Sequence, residues 1–266
     1  MKKLWISMVV VAMALASRAA VVTWAATETL VAATVRITAN GDEDEAWNTS
    51  DTLMSAYGSN PGYKGAFWSH DSNAAGEADI GMLALQNAGL TPLDSLRVVT
   101  RSTTTGGPAA IQTMFGIDTT ALADTDTLSA LSAQRVLGGT GADTGDVRWF
   151  VEAGSSLYVS EVMGTAGATE SNFSLDSTTA LEWFSFDGTA NISTAIGSSI
   201  GTDTLANLGW SNINAAGLYF DMVNTVDANH TGELATFSTT AVPEPATVGM
   251  LGLGALITLL IRRMRP

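Results

Sequence analysis

The chain has 266 residues, a formal net charge of −14 and no cysteine. Without cysteine it forms neither disulfides nor cysteine-ligated zinc sites, and it has no thiol nucleophile. The acidity is concentrated in the middle of the sequence, where residues 27–242 carry six basic and 25 acidic residues, a balance of −19. Because such a surface repels nucleic acid, we exclude nucleic acid as a partner.

The N-terminal segment has the parts of a secretory signal peptide. Lys2 and Lys3 form its basic start, residues 4–16 are apolar, and small residues follow. Two bonds have small residues at the positions that a signal peptidase requires, one after Ala19 and one after Ala25. The sequence leaves the choice between these two bonds open.

Ten segments in the middle of the chain predict β-strands. Apolar and polar residues alternate within them, and clusters of Gly, Asp, Asn, Ser and Thr separate them. They are residues 31–38, 63–68, 78–85, 96–103, 110–117, 147–153, 157–163, 181–187, 217–223 and 233–238. We therefore predict an all-β, single-domain fold, a two-sheet antiparallel β-sandwich.

Two stretches give more specific predictions. Residues 148–161 predict a β-hairpin, because a four-residue loop containing Gly154 separates two alternating segments. Residues 127–136 predict one short helix, because Leu128 and Leu131 recur at near-helical spacing.

Candidate catalytic groups are few, and we expect no enzymatic activity. Residues 197–201 match the Gly-x-Ser-x-Gly pattern around Ser199, but a nucleophile elbow needs a strand before it and a helix after it. We place this segment in a loop and reject the match. Glu152 and Glu161 lie on neighbouring strands of the predicted hairpin and are candidates for a glycosidase pair. We interpret them as solvated surface charges, because acidic residues are abundant here.

Calcium is the cation that the acidic loops suit best, because Ca²⁺ prefers carboxylate oxygens. Asp143 and Asp146 are the first candidate ligands, and residues 42–45 are the second. Neither stretch completes an EF-hand or nonapeptide calcium pattern. We predict no cofactor, with a structural Ca²⁺ ion as the alternative.

Tryptophan residues near predicted loops are candidates for stacking on sugar rings. We name Trp47, Trp68 and Trp210 as candidate glycan-stacking residues. Trp149 and Trp183 are expected in the core instead, since Trp149 alternates in phase with neighbouring valines.

The C-terminal segment has three parts that follow one another in a fixed order. They are the polar turn Pro243-Glu244-Pro245, the apolar run 246–261, and the basic residues Arg262, Arg263 and Arg265. The run has about 16 residues, somewhat short of the roughly 20 that span a bilayer, and the arginines extend its effective length. Their charge predicts a cytoplasmic tail, with the preceding domain across the membrane.

This order of parts resembles the PEP-CTERM sorting domain of Gram-negative bacterial proteins that an exosortase processes. The resemblance covers residues 242–266. We therefore divide the chain into a signal peptide at 1–26, a secreted domain at 27–241 and the tag at 242–266. It implies transient anchoring in the inner membrane, recognition of the Pro-Glu-Pro turn by an exosortase-type protease, and delivery to the cell surface or beyond. Such proteins are associated with extracellular polysaccharide and biofilm matrix.

The strand spacing is also similar to that of the jelly-roll and concanavalin-like sandwiches found ahead of such tags. We therefore expect an exported cell-surface or matrix protein with a structural or adhesive role and an ability to bind polysaccharide. Two alternatives stay open. One is a secreted glycan-acting enzyme that uses paired carboxylates, and the other is an inert surface-coat protein without a specific ligand.

Overall fold

The computed structural model describes residues 19–25, 39–40, 45–48, 63–70, 80–86, 95–101, 109–138, 145–167, 169–188, 195–224, 229–234 and 236–243. Within these ranges the strands are β1 (Ala20–Ala25), β2 (Ala39–Asn40), β3 (Glu45–Asn48), β4 (Tyr63–His70), β5 (Ile80–Gln86), β6 (Ser95–Arg101), β7 (Ala109–Asp118), β8 (Asp126–Gly138), β9 (Gly145–Ala153), β10 (Ser156–Ser160), β11 (Gly164–Ala166), β12 (Ser171–Leu175), β13 (Ala180–Phe186), β14 (Ile196–Thr204), β15 (Ile213–Asn224), β16 (Asn229–Leu234) and β17 (Thr236–Pro243). A helix of one turn, α1, spans Leu205–Leu208.

In the described part of the chain these strands form two antiparallel sheets. Sheet I has the order β1-β17-β8-β16-β6-β5-β2, with β12 paired to β8. Sheet II has the order β14-β13-β10-β9-β15-β7-β4-β3, with β11 paired to β9. The predicted all-β, two-sheet antiparallel sandwich is therefore confirmed.

The main hydrophobic core combines residues of both sheets. Trp149 and Trp183 of sheet II are 1% and 0% exposed, which agrees with their predicted place in the core. Trp149 meets Phe237 of sheet I edge to face, with ring centroids 6.0 Å apart. Pairs of this geometry add specific attraction to the burial of apolar area, so this contact helps to fix how the sheets face each other.

Sheet II is also covered on its outer face. Phe150 and Tyr219 are fully buried and belong to a second apolar cluster, separate from the one that contains Trp149. Successive residues of a strand point to opposite faces. The run Trp149-Phe150-Val151 is buried throughout because it fills both clusters.

Most predicted strands coincide with observed ones. Residues 31–38 lie outside the described residues, and residues 233–238 straddle the end of β16 and the start of β17. The remaining predicted segments each overlap one strand, and the alternation of polarity therefore located them correctly.

The predicted helix at residues 127–136 is wrong, because this segment lies within β8. The register of β8 against β17 skips Ser129, which is an extra residue, so Leu128 and Leu131 are both buried in the core. A second irregularity opposite β12 falls at Arg135, whose φ is +56°. Each β-bulge changes the phase of alternation by one residue, and this produces the three-residue spacing that resembled a helix.

The sheets extend beyond the predicted domain boundaries at both ends. β1 lies within the segment assigned to the signal peptide and pairs along its length with β17. β17 in turn continues to Pro243, the first residue of the Pro-Glu-Pro turn. Pro243 pairs with Asp126 of β8. The sandwich thus reaches the start of the tag without an intervening linker.

Candidate functional site

The predicted hairpin is confirmed, with a tighter loop than expected. β9 and β10 pair up to the residues that flank Gly154 and Ser155, so the loop has two residues rather than four. Gly154 has φ +61°, as the first loop residue of a type II′ turn requires. Its N–H donates to the Asn212 carbonyl at 2.9 Å, and its carbonyl accepts from Asn214 Nδ2 at 2.6 Å. These bonds fix the hairpin tip against the start of β15.

An open groove with a volume of about 530 Å³ lies beside this hairpin. Three separate segments line it: the hairpin, the end of β13 and the start of β14. The lining residues are Ser155, Ser156, Leu157, Tyr158, Ser185, Phe186, Asp187, Gly188 and Gly197. We call this site the hairpin groove. Its aromatic rings, hydroxyl groups and single carboxylate are the groups with which proteins bind small polar ligands such as sugars.

The close approach of β14 to β13 at the groove depends on Gly197. A Cβ at this position would lie 2.5 Å from Ser185 Oγ, which is closer than non-bonded atoms approach. Ser185 Oγ donates to the Ser198 carbonyl at 3.3 Å across the same strand pair. A side chain at position 197 would therefore require Ser185 to turn its hydroxyl away, which breaks the bond to Ser198, or β14 to move away from β13.

Aromatic residues form a stack next to the groove. The rings of Tyr158 and Trp210 are 4.7 Å apart and nearly parallel, with an interplanar angle of 22°. Trp210 also meets Trp183 edge to face at 4.7 Å. Thr204 caps the start of α1, and Gly209 ends it in the left-handed conformation, so the chain turns sharply just before Trp210.

The three candidate glycan-stacking residues do not form one row. Trp210 is half-buried in the stack, whereas Trp47 lies on β3 and Trp68 lies on β4, which overlaps the predicted strand 63–68. β4 is four strands from β10 in sheet II, which amounts to about 19 Å. The stack with Tyr158 was not foreseen, because no local pattern links positions 158 and 210.

The acidic residues of the predicted hairpin lie apart. Glu152 pairs with Leu157, whereas Glu161 follows the end of β10 at Ser160. Four strand positions therefore separate the two residues, which amounts to about 13 Å between their backbones along the strand. Glu161 is instead close to Glu182, whose backbone N–H donates to Glu161 Oε1 at 3.1 Å.

The sequence analysis placed Ser199 in a loop, and this prediction is wrong. Ser199 lies within the edge strand β14. β14 continues to Thr204 before the single turn of α1 begins, so the strand-turn-helix context of a nucleophile elbow is absent here. Ser199 Oγ donates to Glu182 Oε1 at 2.7 Å. This bond joins β14 to β13 and gives both side chains a structural role.

A cluster of partly buried and exposed charged groups around the buried Tyr219 of sheet II was also not foreseen. Arg148 lies opposite Tyr219 on β15, and Asp146 lies opposite Asp221. Burial raises the pKa of Asp221, the positive charge of Arg148 opposes this rise, and Asp146 adds to it. Burial likewise raises the pKa of the Tyr219 phenol, with a further rise from Asp221. Arg148 donates to the Ser160 carbonyl at 2.9 Å, which connects the cluster to β10.

The structure describes only part of the predicted calcium sites. Asp146 Oδ1 accepts a hydrogen bond from Thr165 Oγ1 at 3.0 Å. Asp143 lies outside the described residues, as do residues 42–44. Among the residues that are described, no three His, Asp or Glu side chains are placed to hold a metal ion together. Calcium binding therefore stays a prediction.

The start of the sorting tag belongs to the sandwich. Ala241 is fully buried in the main core, and Pro243 is the last described residue. Glu244, Pro245, Arg262, Arg263 and Arg265 lie outside the described residues. Within the part of the chain that is described, no helix is long and apolar enough to cross a membrane.

Comparison with known proteins identifies the C-terminal segment of this two-sheet β-sandwich protein. Residues 241–265 match the family model of the PEP-CTERM protein-sorting motif. The chain thus carries a PEP-CTERM sorting motif, which implies export, a membrane-anchored sorting signal and processing by an exosortase-type membrane protease. No curated protein matches the chain.

Among solved structures, the chain is similar to the glycoside hydrolase domain of Endo-D from Streptococcus pneumoniae R6. The TM-score is 0.30 and the sequence identity is 10%. The match covers 65% of this chain and only 21% of that chain. A TM-score this low gives no argument about function.

Proposed function

We propose that this protein is a structural or adhesive component of the cell surface or extracellular matrix, and that it binds polysaccharide in the hairpin groove. The sorting motif supports the location, because an exosortase-processed domain is exposed outside the inner membrane. The observation that supports binding is the groove itself, whose lining combines serine residues, Asp187 and Tyr158.

The ring of Tyr158 is held in place for such binding. Trp210 stacks on it at 4.7 Å, and Trp183 supports Trp210 from the core. An aromatic ring that is already fixed loses little conformational entropy when a ligand binds to it. The hairpin tip is equally fixed by the hydrogen bonds of Gly154.

The charge of the domain narrows the class of polysaccharide. Residues 27–242 carry a balance of −19, and the groove contributes Asp187 to it. A polyanion would be repelled by this field, particularly at low ionic strength. We therefore propose that the ligand is a neutral or amino-sugar polysaccharide.

A non-catalytic role is part of the proposal. The Glu182 carboxylate accepts a hydrogen bond from the Ser199 hydroxyl, and the Glu161 carboxylate accepts one from the Glu182 backbone N–H. Both carboxylates therefore help to hold neighbouring segments of sheet II together. Glu152 and Glu161 are separated by four positions along the hairpin. These structural roles of Glu161 and Glu182 support a non-catalytic role for them.

The test is retention of the purified protein on immobilised extracellular polysaccharide from the producing bacterium. We expect the wild type to be retained, and Asp187→Asn and Tyr158→Ala to bind about tenfold more weakly, which corresponds to one lost hydrogen bond or ring contact. Val162→Ser, an exposed apolar residue outside the groove, is the matched control and should bind as the wild type does.

The outcomes separate the three roles. Lack of retention of a folded wild type would support the inert-coat alternative and contradict the proposal. Release of soluble oligosaccharide from the matrix would support the enzyme alternative. Melting curves followed by circular dichroism show whether a variant has lost binding without losing its fold.

A further inference from the structure

We propose that the signal peptidase cuts the bond between Ala19 and Ala20, and that β1 is a permanent strand of the mature protein. The sequence offers this bond and, as a second candidate, the bond after Ala25, and the fold distinguishes them. Water adds across the peptide bond, which leaves a carboxylate on Ala19 and an amino group on Ala20. This inference does not depend on polysaccharide binding.

β1 has the register and the pattern of a strand that belongs to the sandwich. Its six residues pair without a bulge from Ala20, opposite Ala241, to Ala25, opposite Thr236. Ala20 and Val22 pack against the main core, whereas Val21 between them is 58% exposed. This alternation matches the two faces of sheet I. A signal peptide that is removed has no need of alternating buried and exposed residues.

A cut after Ala25 would remove the whole of β1. Among the described strands, β17 would then become the edge of sheet I, with a row of unpaired backbone groups along residues 236–241. Uncovered edges of this length are sites of unwanted pairing between chains. The exposed edge would also lead directly into the Pro-Glu-Pro turn.

The order of synthesis leaves the proposed bond accessible. Among the described strands, β1 pairs with β17, the last of them, so this pairing waits until synthesis of the domain is complete. In the folded state Ala19 is exposed at the end of the strand. The new amino group of Ala20 then lies beside Ala241, two residues before Pro243, so both processing points meet at one end of sheet I.

The test is the N-terminal sequence of the full chain after export from a Gram-negative host, determined by mass spectrometry. We expect the mature protein to begin at Ala20. An N-terminus at Ala26, or retention of the leader, would overturn the proposal. Replacing the small residue before each bond sharpens the result: Ala19→Gln should abolish the Ala20 terminus, and Ala25→Gln should leave it unchanged. Processing blocked by Ala25→Gln alone would also overturn it.

A second measurement shows whether β1 is part of the folded mature protein. Val22→Ser should lower the melting temperature of the exported protein by about 2–4 °C, because a partly buried apolar side chain is lost from a domain of this size. Val21→Ser, at the neighbouring exposed position, should leave it unchanged. If the cut falls after Ala25 neither residue is present, and equal melting temperatures for both variants and the wild type would overturn the proposal.

Discussion

The strands β9 and β14 belong to the same sheet but differ in almost every physical respect. β9 lies in the middle of sheet II, and its residues Val147, Trp149, Phe150 and Val151 are buried. β14 forms an edge of that sheet and is exposed over most of its length. Hydrophobic burial on both faces holds β9 in place, whereas pairing with β13 and a few side-chain bonds hold β14.

Because of this difference, we expect the centre of sheet II to determine the stability of the domain and the β14 edge to contribute to ligand binding. Among the described residues, the central strands β9 and β15 contribute the buried rings of Trp149, Phe150, Tyr219 and Phe220. The hairpin groove lies between the hairpin tip and the β14 edge, where a change of side chain disturbs few core contacts. Variants in the two regions should therefore affect different measurements.

The largest expected effect follows from Trp149→Ala in β9. The change removes a fully buried ring and its contact with Phe237, and it should lower the free energy of unfolding by about 3–5 kcal/mol. Chemical denaturation monitored by circular dichroism measures this loss. A loss below about 1 kcal/mol would mean that the two sheets do not pack through this residue.

Gly154→Ala should have a smaller effect, at the point where the central hairpin meets the groove. The substitution forces an alanine into a left-handed conformation with φ +61° and should cost about 1–2 kcal/mol. Ser155→Ala, at the next loop residue without a positive φ, is the control. Equal stability of the Gly154 variant and the wild type would contradict the proposed turn.

Asp176→Asn tests the turn that leads into β13, and its effect should depend on pH. Four hydrogen bonds from Thr178 and Thr179 to Asp176 Oδ1 lower the pKa of this carboxyl from 3.8 to about 2. Because the folded-state pKa is the lower one, the stabilisation is complete above pH 4 and is lost as the pH falls through about 2. The difference in melting temperature between wild type and variant should thus shrink from pH 6 to pH 2. A difference that is independent of pH would contradict this account.

The smallest effect is expected for Ile200→Ser in β14. Ile200 is 45% exposed, so its replacement should change the free energy of unfolding by less than about 0.5 kcal/mol. Comparison with Trp149→Ala in the same denaturation series measures the contrast between edge and centre directly. A loss comparable to that of Trp149→Ala would show that β14 is not an edge strand.

Local patterns predicted the elements that depend on local physics. The alternation in β9, β10 and β13 follows from burial, and the parts of the sorting tag are continuous in sequence. The β-bulges of β8 interrupt its alternation of buried and exposed residues, and the resulting three-residue spacing of leucines led to the wrong prediction of a helix. β14 was missed because an exposed edge of Gly, Ser and Thr has no apolar pattern, and its position is set only by pairing with β13.

The candidate site was less predictable for the same reason. The hairpin groove joins side chains from positions 155–158, 185–188 and 197, which only the tertiary fold brings together. The stack of Tyr158 on Trp210 depends on where α1 ends, and no periodicity of the sequence encodes that contact. β1 escaped notice because the small and apolar residues of an edge strand also suit the end of a signal peptide.

Native-state hydrogen exchange of the processed protein, with and without the extracellular polysaccharide of its producer, tests the central contrast most directly. Amides of β9 and β15 should exchange slowest in both conditions, because these strands lie in the centre of sheet II. Amides of the hairpin tip and of residues 185–188 should become protected only when polysaccharide is present. Protection of β14 equal to that of β9, or no added protection in the groove at saturating polysaccharide, would contradict this account.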